Sequence, residues 1–454
     1  MTGQAFDRLV AGTLVLPDRL VPNGWIAIRG ETIAAIGEGP RPEAATVHDA
    51  GEALLLPGVI DGQTHATSAR GLPGIESSTR GALAGGITTL VDMPYDNPEP
   101  LNTMAKFEAK AEAIARFSHA DMALYGTVVP GQGTGDMAAL ARAGIAAWKI
   151  SSFESNPVRF PRLPADETQA ILEASVATGL PVGLHNEDQE IVRAQIAAYK
   201  AQGKITPEWH EPSRPVSAEM AATVLFLELG KATGAHVHIV HFSHPRGYEL
   251  IRAYREMGVR ATAELCVHYL HFDNDRDIAR LGARMKVSPP IRGGVIDGLW
   301  AALEDGEVAF VSSDHSSWPI DNKLVPSIFD AGAGIPGFET MLVSFYTDLA
   351  NRGAKDPALT VAAYLSEKPA RFFGLWPRKG SLAVGADADI VVLQTGDFLF
   401  DASKNHDELR WSPYDGERFR ARVAATYLRG KPAYDGTAIV NRPGDGRFVA
   451  RSGS

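Results

Sequence analysis

Five apolar runs in this chain end in a side chain able to bind or bridge a metal ion: Val59 to His65, Ile145 to Lys149, Val182 to His185, Val237 to His241 and Val308 to Asp314. His65, His185 and His241 supply imidazole nitrogens and Asp314 a carboxylate, a donor set that suits zinc or another divalent first-row ion better than magnesium or calcium. Taken singly, a histidine after an apolar run is more often a satisfied, half-buried residue than a ligand. Three of them, with an aspartate in Ser312-Ser313-Asp314-His315, favour a metal site. Lys149 poses a separate problem. An ammonium cannot coordinate a cation, and at the end of a buried run its charge is costly without a partner. Two readings stand: a buried salt bridge, or a lysine converted by CO2 into a carbamate, which is a bridging bidentate anion.

The elements that must position these residues follow from hydrophobic patterning. Between the five runs lie amphipathic stretches such as Met104 to Arg116, Ala165 to Thr178 and Ala218 to Thr233, the strand and helix alternation of a parallel sheet. In a TIM barrel the C-terminal strand ends converge on one face, so residues distant in sequence meet there. The two ends of the chain read differently. Residues 1 to about 54 carry short apolar runs broken by Gly, Pro and Asp, and the same texture returns from about residue 384, in Ile390-Val391-Val392-Leu393 and Val423 to Leu428. The expected architecture is therefore α/β: a TIM barrel over 55–383, with 1–54 and 384–454 pairing into a small β-domain. No fixed-period repeat or low-complexity tract interrupts it.

Composition narrows the function classes. The chain has 454 residues, with 44 Lys+Arg against 54 Asp+Glu, 45% hydrophobic and 22% charged. That is ordinary for a folded globular protein, and the net acidity argues against nucleic acid as the main partner, which needs a basic surface. A small molecule is the expected partner. Cys266 is the sole cysteine, so no intramolecular disulfide forms, which fits a reducing compartment. The opening MTGQAFDRLVAGTLVLPDRL lacks a basic flank and is cut by Asp18 and Arg19, so neither a signal peptide nor a membrane span is expected. The expected location is cytoplasmic.

The sequence resembles the cyclic amidohydrolases of the amidohydrolase superfamily, the group of allantoinase, dihydropyrimidinase or hydantoinase, and dihydroorotase. The resemblance covers nearly the whole chain. It is carried by Leu56-Pro57-Gly58-Val59-Ile60-Asp61, Gly85-Gly86-Ile87-Thr88-Thr89-Leu90-Val91-Asp92-Met93-Pro94, Ser213-Arg214-Pro215, Ala263 to Leu270, Ser288-Pro289-Pro290-Ile291-Arg292 and Gly385-Ala386-Asp387-Ala388-Asp389. The stretch Trp148 to Phe153, with Phe160-Pro161, looks most like the allantoinase branch. The resemblance implies a distorted TIM barrel flanked by a β-sandwich made from both termini. It also implies two metals, zinc foremost, bridged by carbamylated Lys149 and a hydroxide. One metal would be held by His185 and His241, the other by a His-x-His pair and Asp314. It implies a homo-oligomer too, a tetramer or dimer. The reaction implied is ring opening of a cyclic amide, ureide or imide, with Asp314 carrying the proton from the attacking hydroxide to the leaving nitrogen. Ser288 and backbone groups from Gly334 to Gly337 would orient the ring.

This chain departs from that pattern at several points. Gln63 stands where the first histidine of the His-x-His pair is expected, and a glutamine carbonyl is a weaker, harder donor than imidazole. Three readings follow: Gln63 ligates through oxygen in a binuclear site; one metal is held by Lys149, His185 and His241; or the protein is a non-catalytic oligomeric relative. A hydrolase of linear N-acyl or carbamoyl substrates is a further alternative. The active ring-opening enzyme is favoured, because five of the six metal positions are kept. The carbonyl-polarising tyrosine of the hydantoinase branch is missing from Ser151-Ser152-Phe153-Glu154, and Arg70 is out of register with the family's arginine. Asp96 replaces an asparagine, and an acid in the pocket would disfavour an anionic substrate. The Cys266-Val267-His268 run with His271 reads as packing rather than as a second zinc site, with Glu264 and His268 supporting the main one. Arg214 reads as a solvated loop cation without chemistry.

Overall fold

The computed structural model describes residues 5–452, so the outermost residues of the two terminal segments, 1–4 and 453–454, lie outside it. Four strands open the chain: β1 (Phe6–Val15), β2 (Leu20–Arg29), β3 (Thr32–Glu38) and β4 (Ala44–Pro57). The barrel strands follow: β5 (Val59–His65), β6 (Ile87–Asp92), β7 (Asp121–Gly126), β8 (Ala147–Ser151), β9 (Val182–His185), β10 (Val237–Ile239), β11 (Ala261–Ala263), β12 (Leu265–Cys266), β13 (Val311–Ser312) and β14 (His315–Ser316). The last three are β15 (Ile390–Leu399), β16 (Arg418–Leu428) and β17 (Lys431–Tyr434).

The parallel sheet runs β11-β10-β9-β8-β7-β6-β5-β14, and a parallel β12-β13 pair closes the ring. Two of the eight staves are thus broken in the middle. One breaks at Glu264, between β11 and β12; the other at Ser313 and Asp314, between β13 and β14. These breaks are what distort the barrel. The unbroken staves are dry, β6 and β7 being buried at every residue, which is why they read as continuous apolar runs rather than alternating ones.

The terminal strands form one seven-stranded sheet, β17-β16-β15-β4-β1-β2-β3, mixed because β1 and β4 are parallel while their neighbours are antiparallel. The sheet curls into a sandwich. Ile28 and Ile33 of β2 and β3 share a core with Ala425 and Tyr427 of β16, four and five strands away, and a Cβ on Gly430 would strike Ile28 and the carbonyl of Gly30. That close approach, at a φ of +77°, leaves glycine as the residue that fits.

A buried charge cluster joins sheet to barrel. The Lys379 ammonium lies 2.5 Å from Asp121 of β7, 2.9 Å from Asp387 and 2.7 Å from Asp389, and Arg429 also pairs with Asp121. Among the described residues these three aspartates lie close enough together to hold a cation, and the lysine already supplies it. After β17 the chain returns to the barrel base, where Met122 of β7 exchanges backbone hydrogen bonds with Arg447 and Val449. Among the described residues no helix is long and apolar enough to cross a membrane.

Candidate metal centre and substrate pocket

The expected ligands gather at the C-terminal ends of the barrel strands, around one cavity of about 480 Å³ whose lining includes His65, Lys149, His185, His241, Ser288 and Asp314. They do so as two groups. His185 Nδ1 lies 3.0 Å from His241 Nε2, and both rings are buried. On the other side Asp314 Oδ1 accepts a hydrogen bond from Gln63 Nε2 at 2.9 Å and lies 3.4 Å from His65 Nε2. Lys149 is 1% exposed and lines the same cavity.

The residues present fit a metal ion. Two imidazole nitrogens sharing a tetrahedral zinc at bond lengths of about 2.0–2.1 Å stand roughly 3.3 Å apart, close to the observed spacing. Burial pushes the His185 and His241 imidazoles below the usual histidine range, which keeps them in the neutral, lone-pair form a metal requires. Glu187 accepts a hydrogen bond from His185 Nε2 at 2.9 Å, leaving Nδ1 as the donor atom, and Arg214 anchors Glu187 at 2.5 Å. Gln63 Oε1 and His241 Nδ1 are buried without a partner among the described residues. His241 and Asp314 both take a left-handed backbone, with φ of 43° and 50°, the kind of local strain that clusters at functional sites.

Lys149 has no carboxylate partner among the described residues, which removes the buried salt bridge as its explanation. Its amine lies over the rings of Tyr95 and Phe160 at 5.5 and 5.2 Å, and desolvation brings its pKa down to about 7. Half of it is then a neutral amine at neutral pH, the form that reacts with CO2.

Around the ligands stands a supporting frame. Asp61 accepts from the Ser313 amide at 3.0 Å and from its hydroxyl, fixing the residue before Asp314; burial raises the Asp61 carboxyl to about 7. Glu264 accepts from the His241 amide at 3.2 Å and from Ser312 Oγ at 3.3 Å, and burial pushes its pKa well above the ordinary value. His268 is buried against Tyr269, close to Asp314 and the Ser313 backbone. Cys266 lies 3.5 Å from Ser312 Oγ and His271 pairs with Asp348, so the three do not converge on a second metal site.

Three expectations require correction. Asp96 does not line the pocket. It is buried under Lys110 at 2.6 Å and accepts from Thr67, because Lys110, already paired with Asp92, needs a second anion. Gly337 is also outside the lining; its amide donates to His315 Nδ1 at 3.1 Å, and Gly334 borders the cavity instead. Arg214 is not solvated: it is 8% exposed, paired with Glu187, stacked 4.8 Å over Phe153 and part of the pocket wall. Ser288 is at the wall as expected, its hydroxyl buried and unpartnered, and Arg70 lies outside it, paired with Glu408. Sequence reasoning passed over Tyr95, Arg159, Lys286 and Trp318, all wall residues. The signal available for Glu187 was its place two residues past His185.

Comparison with known proteins agrees with this geometry. The model of the amidohydrolase family matches residues 54–432. An allantoinase of Rubrobacter xylanophilus is 34% identical over 450 residues, 98% of each chain, and an L-hydantoinase of Paenarthrobacter aurescens is 31% identical over 454 residues, again 98% of each. Among solved structures, the L-hydantoinase (dihydropyrimidinase) from Arthrobacter aurescens superposes with a TM-score of 0.92 at 31% identity, covering 98% of this chain and all of that one.

Proposed function

This chain belongs to the amidohydrolase family, and from that premise we propose that it is a metal-dependent hydrolase that opens the ring of a cyclic amide, ureide or imide. The observation that carries the reading is the facing pair of neutral imidazole nitrogens, His185 Nδ1 and His241 Nε2, 3.0 Å apart in a cavity shared with Lys149 and Asp314. The allantoinase and hydantoinase relatives supply the substrate class.

His185, His241 and the Lys149 carbamate would hold one ion, zinc in this reading; Asp314, His65 and the same carbamate would hold a second, with Gln63 Oε1 as the oxygen donor available there. When bound, such an ion polarises the ring carbonyl and brings the pKa of a water down toward ~7. The remaining work falls to side chains. Asp314 Oδ1 is held by Gln63, and Oδ2 takes no protein hydrogen bond among the described residues. That carboxylate takes the proton of the water as its oxygen adds to the carbonyl carbon, then delivers it to the ring nitrogen as the C–N bond breaks. Ser288 Oγ is a donor for a ring carbonyl or acceptor for a ring N–H, since it has no partner among the described residues. Tyr95 lies 6.4 Å from His65, nearly parallel to it, and Phe160 meets both Tyr95 and His185 edge-on, so aromatic walls exclude water around the ring.

The expectation of a homo-oligomer is supported by Val176, Val224 and Leu225, exposed on the neighbouring helices Ala165–Thr178 and Val216–Thr233. A cytoplasmic location is supported by the buried, unpaired Cys266.

The test is a ring-opening screen on allantoin, hydantoin, dihydrouracil and dihydroorotate with protein purified without chelator and metal quantified in the same preparation. Turnover of at least one ring that is lost with the metal is the expected result. Stoichiometric metal with no ring opened, and linear N-carbamoyl compounds hydrolysed instead, would replace this reading.

A further inference from the structure

We propose that the pocket takes a ring bearing an anionic substituent, a carboxylate, and that Arg159 is the residue that recognises it. This rests on the ring-opening reading and narrows its substrate class.

The argument begins with the charges on the wall. Of its carboxylates, Glu154 is paired with Arg193 at 3.0 Å and Asp330 with Lys200 at 3.0 Å, both partners being outside the wall. Asp314 is engaged with Gln63 and His65. Among the cations, Lys149 is assigned to the metal centre in the ring-opening reading and Arg214 is matched by Glu187. Two remain. Neither Lys286 nor Arg159 has a carboxylate within 4.0 Å among the described residues. Lys286 is occupied by backbone: its ammonium donates to the carbonyls of Ile328 at 2.6 Å and Ala331 at 2.5 Å, which holds the loop over the cavity mouth. Arg159 is different. One of its nitrogens donates to the Ser68 carbonyl at 2.6 Å and its guanidinium carbon lies 5.9 Å over the Trp318 ring, while its other N–H groups take no protein acceptor among the described residues.

Its position ties it to both halves of the metal centre. Ser68, which it grips, faces His65 Nδ1 through its hydroxyl at 3.3 Å. Phe160, the next residue in the chain, packs 5.6 Å from His185. A rigid planar fork with open donors, anchored beside the reacting groups, matches a carboxylate bidentately in a way a lysine does not. Asp96 lies outside the wall, where it shares the Lys110 ammonium with Asp92.

The experiment compares hydantoin-5-acetate with its uncharged amide, and dihydroorotate with its amide, on the metal-loaded enzyme. The ratio of kcat/KM for acid over amide is expected to exceed one in the wild type and to fall roughly 10- to 100-fold in Arg159→Gln, through KM, with Arg159→Lys in between. Binding of the same pairs is measured by calorimetry, which needs no turnover. If no ring is opened, the ring-opening reading fails while the acid-over-amide binding ratio still decides this one. A wild-type ratio of one or less overturns the proposal. So does an unchanged ratio in Arg159→Gln protein that melts at the wild-type temperature, or in Arg159→Lys should the glutamine variant not fold.

Discussion

Lys149 gives the account a sharp pH signature. Its amine is buried with no carboxylate within 4.0 Å among the described residues, and desolvation, only partly offset by Asp314 and Glu264 further off, lowers its pKa from 10.5 to about 7. Carbamate forms from the neutral amine alone. With a pKa of about 7 the neutral fraction is roughly a tenth at pH 6, a half at pH 7 and nine tenths at pH 8, a rise of about tenfold that then levels off. Protein stripped of metal and CO2 and then given zinc and a fixed concentration of dissolved CO2 should therefore recover metal at an initial rate that rises about tenfold from pH 6 to pH 8 and flattens above it. The assay is bound zinc by mass spectrometry on rapidly desalted samples. An ordinary lysine would give a rate climbing tenfold per pH unit well beyond pH 8; that profile would refute the reasoning. The same shift has a stability consequence in CO2-free protein. The native state binds fewer protons than the unfolded state between pH 7 and 10.5, so unfolding free energy should rise with pH across that window, by about 5 kcal/mol at most, as followed by urea denaturation.

Other outcomes follow from the frame around the ligands. Glu187→Gln leaves the Arg214 guanidinium buried without its anion and replaces the charged acceptor that orients His185 with a weaker, neutral amide oxygen; chemical denaturation should show a loss of about 3–5 kcal/mol, and zinc affinity should fall about 10- to 100-fold. Asp314→Asn should keep the ion bound by His185 and His241, seen by metal analysis, while ring opening drops at least about 100-fold; full turnover in that variant would remove the proton-transfer role. Gln63→His should raise metal occupancy at the His65 and Asp314 side, read by titration of stripped protein; unchanged stoichiometry and affinity would show that position 63 does not serve as a ligand.

Most of the fold was legible because parallel strands buried on both faces must be continuous apolar runs, and the residue that ends such a run lies at the barrel mouth. His185 and His241 were found that way, and so was the strand-end Lys149. The two broken staves were not visible, since nothing in Ala263-Glu264-Leu265 or Ser312-Ser313-Asp314 announces a gap in pairing; the breaks depend on tertiary contacts from Asp61 and Glu264. Charge misled at two positions for the same reason. Asp96 and Arg214 were judged without their partners, and Lys110 and Glu187, which decide where those charges go, come from a helix and a loop rather than from the motifs themselves. Arg159 sits in an irregular loop with no periodicity to read, so its place on the wall emerged from the fold alone.

The most direct test of the metal centre is a diffraction experiment at the zinc absorption edge on crystals of protein purified without chelator. The expected result is an anomalous peak within about 2.0–2.1 Å of both His185 Nδ1 and His241 Nε2, with density for a carbamate on Lys149 reaching it. A dry, fully occupied zinc at another place in the molecule, or an unmodified Lys149 amine beside metal-free histidines in protein that opens the ring, would contradict it.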